Sequence, residues 1–361
     1  MLRTRLSTGQ SLAVVVALSM MASACGSDDA AEPTGTATGA TTATSGDSTD
    51  GAGPLFIYIT PTPIGVNQFL QLGKDGTERA AQAAGGTAKT FESSDASTQR
   101  SNIEAAIEEE PDIIVLTTFS FNELAAEFGA ANPDQQFVFI DSCTAEPLPN
   151  VFCGGFREQE GAYLLGVEAG MLTKTNKVGT VASLDTPFLH RWSDSFALGA
   201  NSIAEIEDTQ LFVAGENPFA DPVRAKEQAL AMASQGTDQI LAAAASGSLG
   251  VFEAATEEGF LAYGVDVNQC GDAPGSVVDN NLKRVDVVTE SLIGQVMDGT
   301  AAQFVSFGLA EDGVSVIALS DDVANSGCVI ADHPDIIKAV KEAAAGIIDG
   351  TMVVPDPLAA G

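Results

Sequence analysis

The chain has 361 residues and a formal net charge of −33, from 49 acidic and 16 basic side chains. So acidic a surface repels phosphate backbones and anionic lipid headgroups, which argues against nucleic acid as a partner. Hydrophobic residues make up 45% of the chain, enough for two cores, and two domains are expected at this length. We attribute the charge to a solvated acidic exterior suited to an extracellular or salty setting.

The first 25 residues have the pattern of an export signal. Arg3 and Arg5 precede an apolar run at residues 12–18, and small residues at 22–24 precede Cys25. The apolar run is too short to span a bilayer permanently. A cysteine directly after small residues resembles a bacterial lipobox, although Ala22 stands where Leu is usual. We therefore expect residues 1–25 to be a lipoprotein signal peptide with Cys25 acylated; ordinary cleavage and free secretion is the alternative.

Residues 26–53 are rich in Ser, Thr, Gly, Ala and Asp and contain no large apolar side chain. Such a segment cannot bury enough surface to offset its ordering entropy. We expect it to be a disordered tether between a membrane and the folded part of the chain. Nothing after it is long and apolar enough to be a transmembrane helix.

Four cysteines remain besides Cys25, and in an exported chain an even number suggests disulfides. Four cysteines allow three pairings; proximity favours Cys143–Cys153, which leaves Cys270–Cys328. The sequence has no Cys-x-x-Cys motif or Cys/His cluster, and its two histidines are far apart. Neither a metal site nor a Cys/His nucleophile pair is expected, and no cofactor is predicted.

From residue 54 onward, apolar strands alternate with amphipathic helices. In the first half we predict strands at 54–60, near 91, and at 112–117, 136–141 and 150–153, with helices at 67–84, 98–109 and 122–131. In the second half we predict a helix with a small-residue face at 160–172, strands at 177–182, 209–213, 239–244, 261–265, 303–307 and 314–319, and helices at 192–206, 222–235, 250–258, 283–297 and 334–348. This alternation indicates α/β lobes with parallel sheets covered on both faces. Because no Pro-, Gly- or Ser-rich linker separates the two lobes, a hinge is expected between them.

Two acidic residues end predicted strands. Asp141 follows the apolar run at 136–140, and Asp266 follows the run at 260–265. Open α/β folds bind small ligands at the carboxyl edge of the sheet, where such residues lie. Lys283 begins the next apolar-periodic segment and is expected to flank the same crevice as Asp266. The alternative is that Asp266 caps a turn and Lys283 is a solvated surface lysine.

Four segments carry a family likeness: NVFCGGFREQEGAYLLGVEAGMLTKTNK at 150–177, NPFADP at 217–222, GVDVNQ at 264–269 and LKRVD at 282–286. They resemble the basic membrane protein family, or purine nucleoside receptor family, of lipoproteins that serve ABC transporters as substrate-binding proteins. The likeness extends from about residue 55 to residue 350.

That resemblance implies a type I periplasmic-binding-protein fold, in which two doubly wound, Rossmann-like lobes joined by a three-strand hinge clamp the ligand. Lobe 1 is then expected at residues 54–155 plus 284–310, and lobe 2 at residues 156–283 plus 311–361.

The resemblance also implies a set of ligand-binding residues: Asn67, Phe69, Asp141, Phe219, Asp266 and Lys283. The two acids would accept hydrogen bonds from ligand hydroxyls, one from each lobe, which suits a ribose diol. Lys283 would donate to the sugar and offset Asp266, and Phe219 would pack on the flat face of the ligand. For Phe219 the alternative is a loop aromatic packed on its own lobe, and for Asp141 it is a strand-end turn residue.

The sequence departs from the family at three places. Residues 63–66 read Pro-Ile-Gly-Val where the family has an acidic residue and then Phe, and Gln71 stands where Trp or Phe is usual. Residues 245–250 replace the more common Gly-Gly-Thr-Gly. Because the stacking surface of lobe 1 is altered, a hydroxylated small molecule is a firmer expectation than a purine.

The function implied is an extracytoplasmic substrate-binding lipoprotein that binds a nucleoside, a purine nucleoside by family, and delivers it to a permease. The expected partners are that small molecule, the ABC permease and ATPase subunits, and the cell membrane through a lipid anchor; a monomer is expected. An enzyme of the same fold is disfavoured because the sequence lacks Gly-x-Ser-x-Gly and a P-loop. A surface sensor or adhesin that binds another hydroxylated ligand without a permease is the remaining alternative.

Overall fold

The computed structural model describes residues 53–65 and 67–360. Along these residues the strands are Leu55–Thr60 (β1), Thr87–Glu92 (β2), Ile113–Thr117 (β3), Gln136–Ile140 (β4), Val151–Phe156 (β5), Lys177–Ala182 (β6), Glu207–Phe212 (β7), Gln239–Ala243 (β8), Leu261–Asp266 (β9), Val277–Lys283 (β10), Phe304–Phe307 (β11) and Val314–Val316 (β12). The helices are Gln68–Ala83 (α1), Ala96–Glu108 (α2), Asn122–Ala131 (α3), Glu158–Leu172 (α4), Pro187–Asn201 (α5), Pro222–Ser234 (α6), Ser248–Glu258 (α7), Val285–Met297 (α8) and Pro334–Ile348 (α9). The predicted signal peptide, Cys25 and nearly all of the tether lie outside the described residues.

Two six-stranded sheets organise the chain. The first has the strand order β11-β5-β4-β3-β1-β2, and the second has the order β12-β10-β9-β8-β6-β7. Neighbouring strands pair in parallel except β10 and β12, which are antiparallel within the part of the chain described. We call the first sheet and its helices lobe 1 and the second sheet and its helices lobe 2; both belong to one structural unit. The predicted α/β fold with two doubly wound lobes is confirmed.

Both faces of the lobe 1 sheet are buried. Along β1, Phe56 and Tyr58 pack into one hydrophobic cluster, whereas Ile57 and Ile59 pack into a second cluster on the opposite face. Successive side chains of a strand point to opposite faces, so an uninterrupted apolar run needs cover on both sides. The cluster that contains Phe56 continues into lobe 2, which joins the two cores.

Three chain segments cross between the lobes, after β5, after β10 and between β11 and β12. The amide of Arg157 in the first crossing donates to the carbonyl of Phe307 at 2.9 Å, and the amide of Arg284 in the second donates to Gly313 at 2.8 Å. The guanidinium of Arg157 also donates to Glu160 at 2.5 Å. These bonds tie the three crossings into one hinge.

Helices α4 and α5 approach until their backbones touch. A Cβ on Gly199 would lie 2.0 Å from the carbonyl oxygen of Tyr163, and a Cβ on Gly166 would lie 2.1 Å from that of Phe196. No side chain fits at either position, so the small residues of α4 serve the close packing that its sequence predicts.

Strand β10 differs from the sequence prediction, which placed no strand there and began a helix at Lys283. The segment includes Asp279, Asn280 and Asn281, which read as turn residues but are fully buried. Partners from other chain segments bond to them: Asp279 accepts from the amide of Ile317 at 2.7 Å, and Nδ2 of Asn281 donates to the carbonyl of Glu158 at 2.8 Å. Lys283 is therefore the last residue of strand β10, and helix α8 begins two residues later, at Val285.

Each of two disulfides includes a cysteine from the loop after a strand-end acid, Cys143 after Asp141 and Cys270 after Asp266. Cys143 bonds to Cys153, and Cys270 bonds to Cys328, with Cα atoms 5.4 Å and 4.9 Å apart. Both predicted pairings are confirmed, the one that proximity favours and the one that it leaves. None of the helices in the described ranges is long and apolar enough to cross a membrane.

Candidate functional site

Backbone strain marks the carboxyl edges of both sheets. Five non-glycine residues at or just after strand ends have positive φ: Thr118 (76°), Asp141 (65°), Ala214 (51°), Ala245 (51°) and Asp266 (69°). Such a conformation costs about 1–3 kcal/mol and is concentrated at functional sites. Asp141 and Asp266, predicted from their strand-end positions, are both among the five. The strain therefore points to the same two edges as the sequence.

A buried cluster of charges joins the two lobes at these edges, with Lys283 at its middle. The Nζ atom of Lys283 lies 2.5 Å from Oδ1 of Asp141 and 3.1 Å from Oε1 of Glu158. The side chain of Lys283 is 3% exposed, and that of Glu158 is 0% exposed. Asp141 follows β4 of lobe 1, Lys283 ends β10 of lobe 2, and Glu158 opens α4 directly after a crossing. The cluster thus connects both lobes to the hinge.

The pKa values of Asp141 and Asp266 are shifted by shared neighbours although the two acids belong to different lobes. Burial raises the pKa of Asp141 to about 6; Lys283 opposes this shift, and the carboxylates of Glu158 and Asp266 add to it. Burial also raises the pKa of Asp266, again against Lys283 and with Glu158. Carboxylates perturb one another in this way only at short range. The structure therefore places the two predicted acids around one lysine.

Aromatic rings surround the ammonium group of Lys283. Its Nζ atom lies 4.7 Å from the ring centroid of Phe156, 5.4 Å from that of Phe69 and 5.6 Å from that of Phe188. Each distance is within the range of a cation–π contact. Phe69 was predicted from sequence, whereas the other two rings were not.

The protonated state of Lys283 is secured by its acidic neighbours. Burial alone would lower its pKa, but the carboxylates of Asp141, Glu158 and Asp266 outweigh burial and raise the pKa above its ordinary value. A permanently charged ammonium can donate hydrogen bonds to a ligand oxygen but cannot act as a base.

Glu158 and Arg191 form a second part of the cluster that sequence reasoning missed. Nη1 of Arg191 lies 3.0 Å from Oε2 of Glu158 and donates to the carbonyl of Phe156 at 2.8 Å. The same guanidinium binds both carboxylate oxygens of Asp356, at 2.8 Å and 2.6 Å. Glu158 lies in the FREQEG segment at 156–161, which carries the family likeness and could have indicated a site residue. No sequence pattern indicated Arg191.

The cluster contains more acids than bases. Four carboxyl groups, those of Asp141, Glu158, Asp266 and Asp356, face two cations, Lys283 and Arg191. Such a site favours ligands that donate hydrogen bonds, such as hydroxyl groups, and repels phosphate groups. Within the described ranges, no three His, Cys, Asp or Glu side chains are arranged to hold a metal ion.

The other two predicted residues lie in different settings. The side chain of Asn67 caps α1 by accepting from the amide of Leu70 at 3.3 Å. The ring of Phe219, in the loop before α6, lies 6.1 Å from the ring of Phe119, which follows β3 in lobe 1. Phe119 was not predicted, and its ring supplies the lobe 1 side of this contact between the lobes.

A separate groove of about 560 Å³ lies between the first turns of α2 and α3 in lobe 1. Phe119 forms part of its wall, together with Gln99 and Arg100. Neither Lys283 nor the two strand-end acids line this groove. The charges and the strained backbone of the candidate site thus lie outside this groove.

Known proteins resemble this chain over most of its length. A nucleoside-binding protein of an ABC transporter from Lactococcus lactis, BmpA, is 28% identical over 284 residues, which are 73% of this chain and 77% of that protein. A CD4+ T-cell-stimulating antigen from Listeria monocytogenes is 27% identical over 275 residues, 71% of this chain and 74% of its own length. Basic membrane protein A of Borreliella burgdorferi is 31% identical over 191 residues, 51% of this chain and 55% of that protein.

Solved structures resemble the fold as well. A solute-binding protein of an ABC transporter system from Aeropyrum pernix superimposes with a TM-score of 0.67 and 25% identity, over 84% of this chain and 94% of that chain. One from Conexibacter woesei has a TM-score of 0.66 and 18% identity, over 84% and 99% of the two chains; at that identity the likeness shows the fold alone. The Bmp family profile, described as PnrA-like ABC transporter substrate-binding protein, matches residues 58–343. The chain belongs to the Bmp family of PnrA-like ABC transporter substrate-binding proteins.

Proposed function

We propose that this substrate-binding protein captures a nucleoside between its two lobes and delivers it to a membrane permease. One observation carries the proposal: Lys283 of lobe 2 forms an ion pair with Asp141 of lobe 1 at 2.5 Å, while Asp266 pairs with the neighbouring Leu282 on the adjacent strand and raises the pKa of the lysine. The relative from Lactococcus lactis, whose name describes a nucleoside-binding protein, supports the same ligand class.

The chemistry of the cluster suits the sugar of a nucleoside. A carboxylate accepts hydrogen bonds from two adjacent hydroxyls, so Asp141 and Asp266 can bind a ribose diol from its two sides. Lys283 has protons to donate to the remaining sugar oxygens. The excess of acids disfavours a phosphorylated ligand, which separates nucleosides from nucleotides.

Capture requires both lobes. We assign residues 54–155 plus 284–310 to lobe 1 and residues 156–283 plus 311–361 to lobe 2, with the bonded crossings as the hinge. A ligand that touches Asp141 and Asp266 completes its contacts only when the lobes are closed, so binding stabilises the closed form. The permease then distinguishes loaded from empty protein by this closure.

We further propose that the protein is a monomer held at the extracytoplasmic face of the cell membrane by an acylated Cys25. Labelling with a palmitate analogue tests the anchor, with Cys25→Ala as the matched variant. The proposal requires label on the wild type and none on Cys25→Ala; an unlabelled wild type, or label that survives the substitution, would contradict it.

Isothermal titration calorimetry tests the ligand class, with guanosine, adenosine, inosine, uridine and adenosine 5′-monophosphate as probes. We expect heat from the nucleosides and much weaker binding of the monophosphate. Asp266→Asn should weaken nucleoside binding about 10- to 150-fold, because hydrogen bonds to charged groups contribute about 1.5–3 kcal/mol. Asp134→Asn, an exposed aspartate of lobe 1, is the control and should leave affinity unchanged. The nucleoside proposal fails if no nucleoside gives heat or a thermal shift.

A further inference from the structure

Phe119 has an unusual environment for a large apolar side chain. It is 64% exposed, yet its ring centroid lies 6.1 Å from that of Phe219 in the other lobe, with the ring planes at 39°. Single exposed apolar residues are common on protein surfaces and need no explanation. An exposed ring in contact with a second ring across the boundary between the lobes is a more specific arrangement.

Phe119 is held in place by its own turn. The chain leaves β3 through Thr118, whose φ of 76° is in the left-handed region that threonine rarely adopts. The amide of Thr118 donates to the carbonyl of Ile140 at 2.9 Å, directly before Asp141. Phe121, two residues after Phe119, is completely buried. A strained residue and a buried anchor thus fix the exposed ring beside one of the two site acids.

Phe219 is fixed in a corresponding way in lobe 2. Its carbonyl accepts from the amide of Gly247 at 3.3 Å and from the hydroxyl of Ser246 at 3.0 Å. Both partners follow β8, next to Ala245, another of the strained residues at the carboxyl edge. The two rings are therefore held at the carboxyl edges of the two sheets, which are also the edges that carry Asp141 and Asp266.

We infer that Phe119 is a ligand-contacting, specificity-determining residue, which supplies the lobe 1 aromatic surface against the flat base of the nucleoside, opposite Phe219. This inference rests on the proposed function. Aromatic rings contact each other with centroids about 4.5–7 Å apart, so the present separation is a ring–ring contact. Entry of a base replaces that contact with one ring–base contact on each side. Phe119 provides the lobe 1 surface from the carboxyl end of β3.

Three substitutions of Phe119 test this role by calorimetry with guanosine and uridine. Phe119→Ala and Phe119→Leu should raise the dissociation constant for guanosine about 10-fold or more, since stacking of one base on an aromatic side chain is worth about 1–3 kcal/mol. The loss should be smaller for uridine, whose base has a smaller face, and Phe119→Tyr should restore guanosine binding. Phe304→Ala is the matched control, since Phe304 is 56% exposed on the edge strand of the same lobe.

The outcomes separate this inference from the proposal beneath it. If the wild type binds nucleosides and Phe119→Ala binds them equally well, the inference is wrong and the proposed function stands. If Phe119→Ala and Phe119→Leu weaken guanosine and uridine by the same factor and Phe119→Tyr does not restore binding, the ring has only a structural role and the inference is again wrong. A wild type that binds no nucleoside would overturn both.

Discussion

Replacing Lys283 by methionine gives the sharpest test of the buried charge cluster. Methionine keeps most of the length and volume of the lysine stem but removes the charge. The substitution leaves Asp141, Glu158 and Asp266 facing one another with Arg191 as the remaining cation. Because Glu158 is completely buried and Asp141 is 15% exposed, water cannot replace the lost ammonium group.

The size of the effect follows from the two contacts that Lys283 loses, at 2.5 Å and 3.1 Å. Removing one partner of a buried ion pair costs about 3–5 kcal/mol, because an uncompensated charge is left in a medium of low polarity. We expect Lys283→Met to lose this amount of unfolding free energy at pH 8. Without the lysine, the pKa of Asp141 should rise further above 6, so protonation relieves the repulsion and the loss should shrink at pH 5.

Urea unfolding followed by circular dichroism at pH 8 and pH 5 measures both quantities, with the disulfides kept intact. Lys338→Met is the matched control, because the Lys338 side chain is 77% exposed and its partner Glu342 is 3.7 Å away. That substitution should leave the unfolding midpoint unchanged, since exposed ion pairs contribute little. A Lys283→Met protein as stable as the wild type at pH 8, or equally destabilised at both pH values, would show that Lys283 does not neutralise these buried acids.

Three further predictions concern pH, packing and the disulfides. Nucleoside affinity should fall about tenfold from pH 7.5 to pH 5, because burial raises the pKa of Asp141 to about 6 and Asp141 binds hydroxyls as a carboxylate. Over the same interval the contribution of Asp141 to folding stability should rise, since its pKa is higher in the folded than in the unfolded protein. Calorimetry and urea unfolding should therefore change in opposite directions. Gly199→Ala should lower the free energy of unfolding in urea by about 1–3 kcal/mol, because the added methyl group forces α4 and α5 apart. Gly294→Ala, where nothing lies within 4 Å of the added methyl group, should be neutral or slightly stabilising. Equal effects of the two substitutions would contradict close packing of α4 on α5. Replacing Cys270 and Cys328 by serine should lower the free energy of unfolding by about 4 kcal/mol, because their disulfide closes a loop of 58 residues. Replacing Cys143 and Cys153 should lower it by roughly 3 kcal/mol, because their loop has 10 residues. The reverse order of stability losses would be inconsistent with loop entropy.

The fold was largely predictable because its strands are buried on both faces. Runs such as residues 113–117 and 136–140 are apolar without interruption, which is typical of central parallel strands. A strand that ends on an aspartate places that side chain at the carboxyl edge of the sheet. Asp141 and Asp266 could therefore be placed at opposing sheet edges from sequence alone.

The parts that could not be predicted depend on contacts between distant residues. Strand β10 contains buried Asp279 and Asn281, which bond to Ile317 and Glu158, 38 and 123 positions away in sequence. Glu158 and Arg191 are separated by 33 positions and have no local pattern that announces their pairing. The contact of Phe119 with Phe219 joins two lobes and has no local sequence pattern that predicts it. Local propensity cannot detect such long-range satisfaction of polar and aromatic groups.

A crystal structure of the protein grown with guanosine tests the proposed site most directly. We expect one nucleoside between the lobes, with its ribose hydroxyl oxygens within about 3 Å of carboxylate oxygens of both Asp141 and Asp266. A nucleoside that contacts only one lobe, or that occupies the groove between α2 and α3 instead, would contradict this expectation.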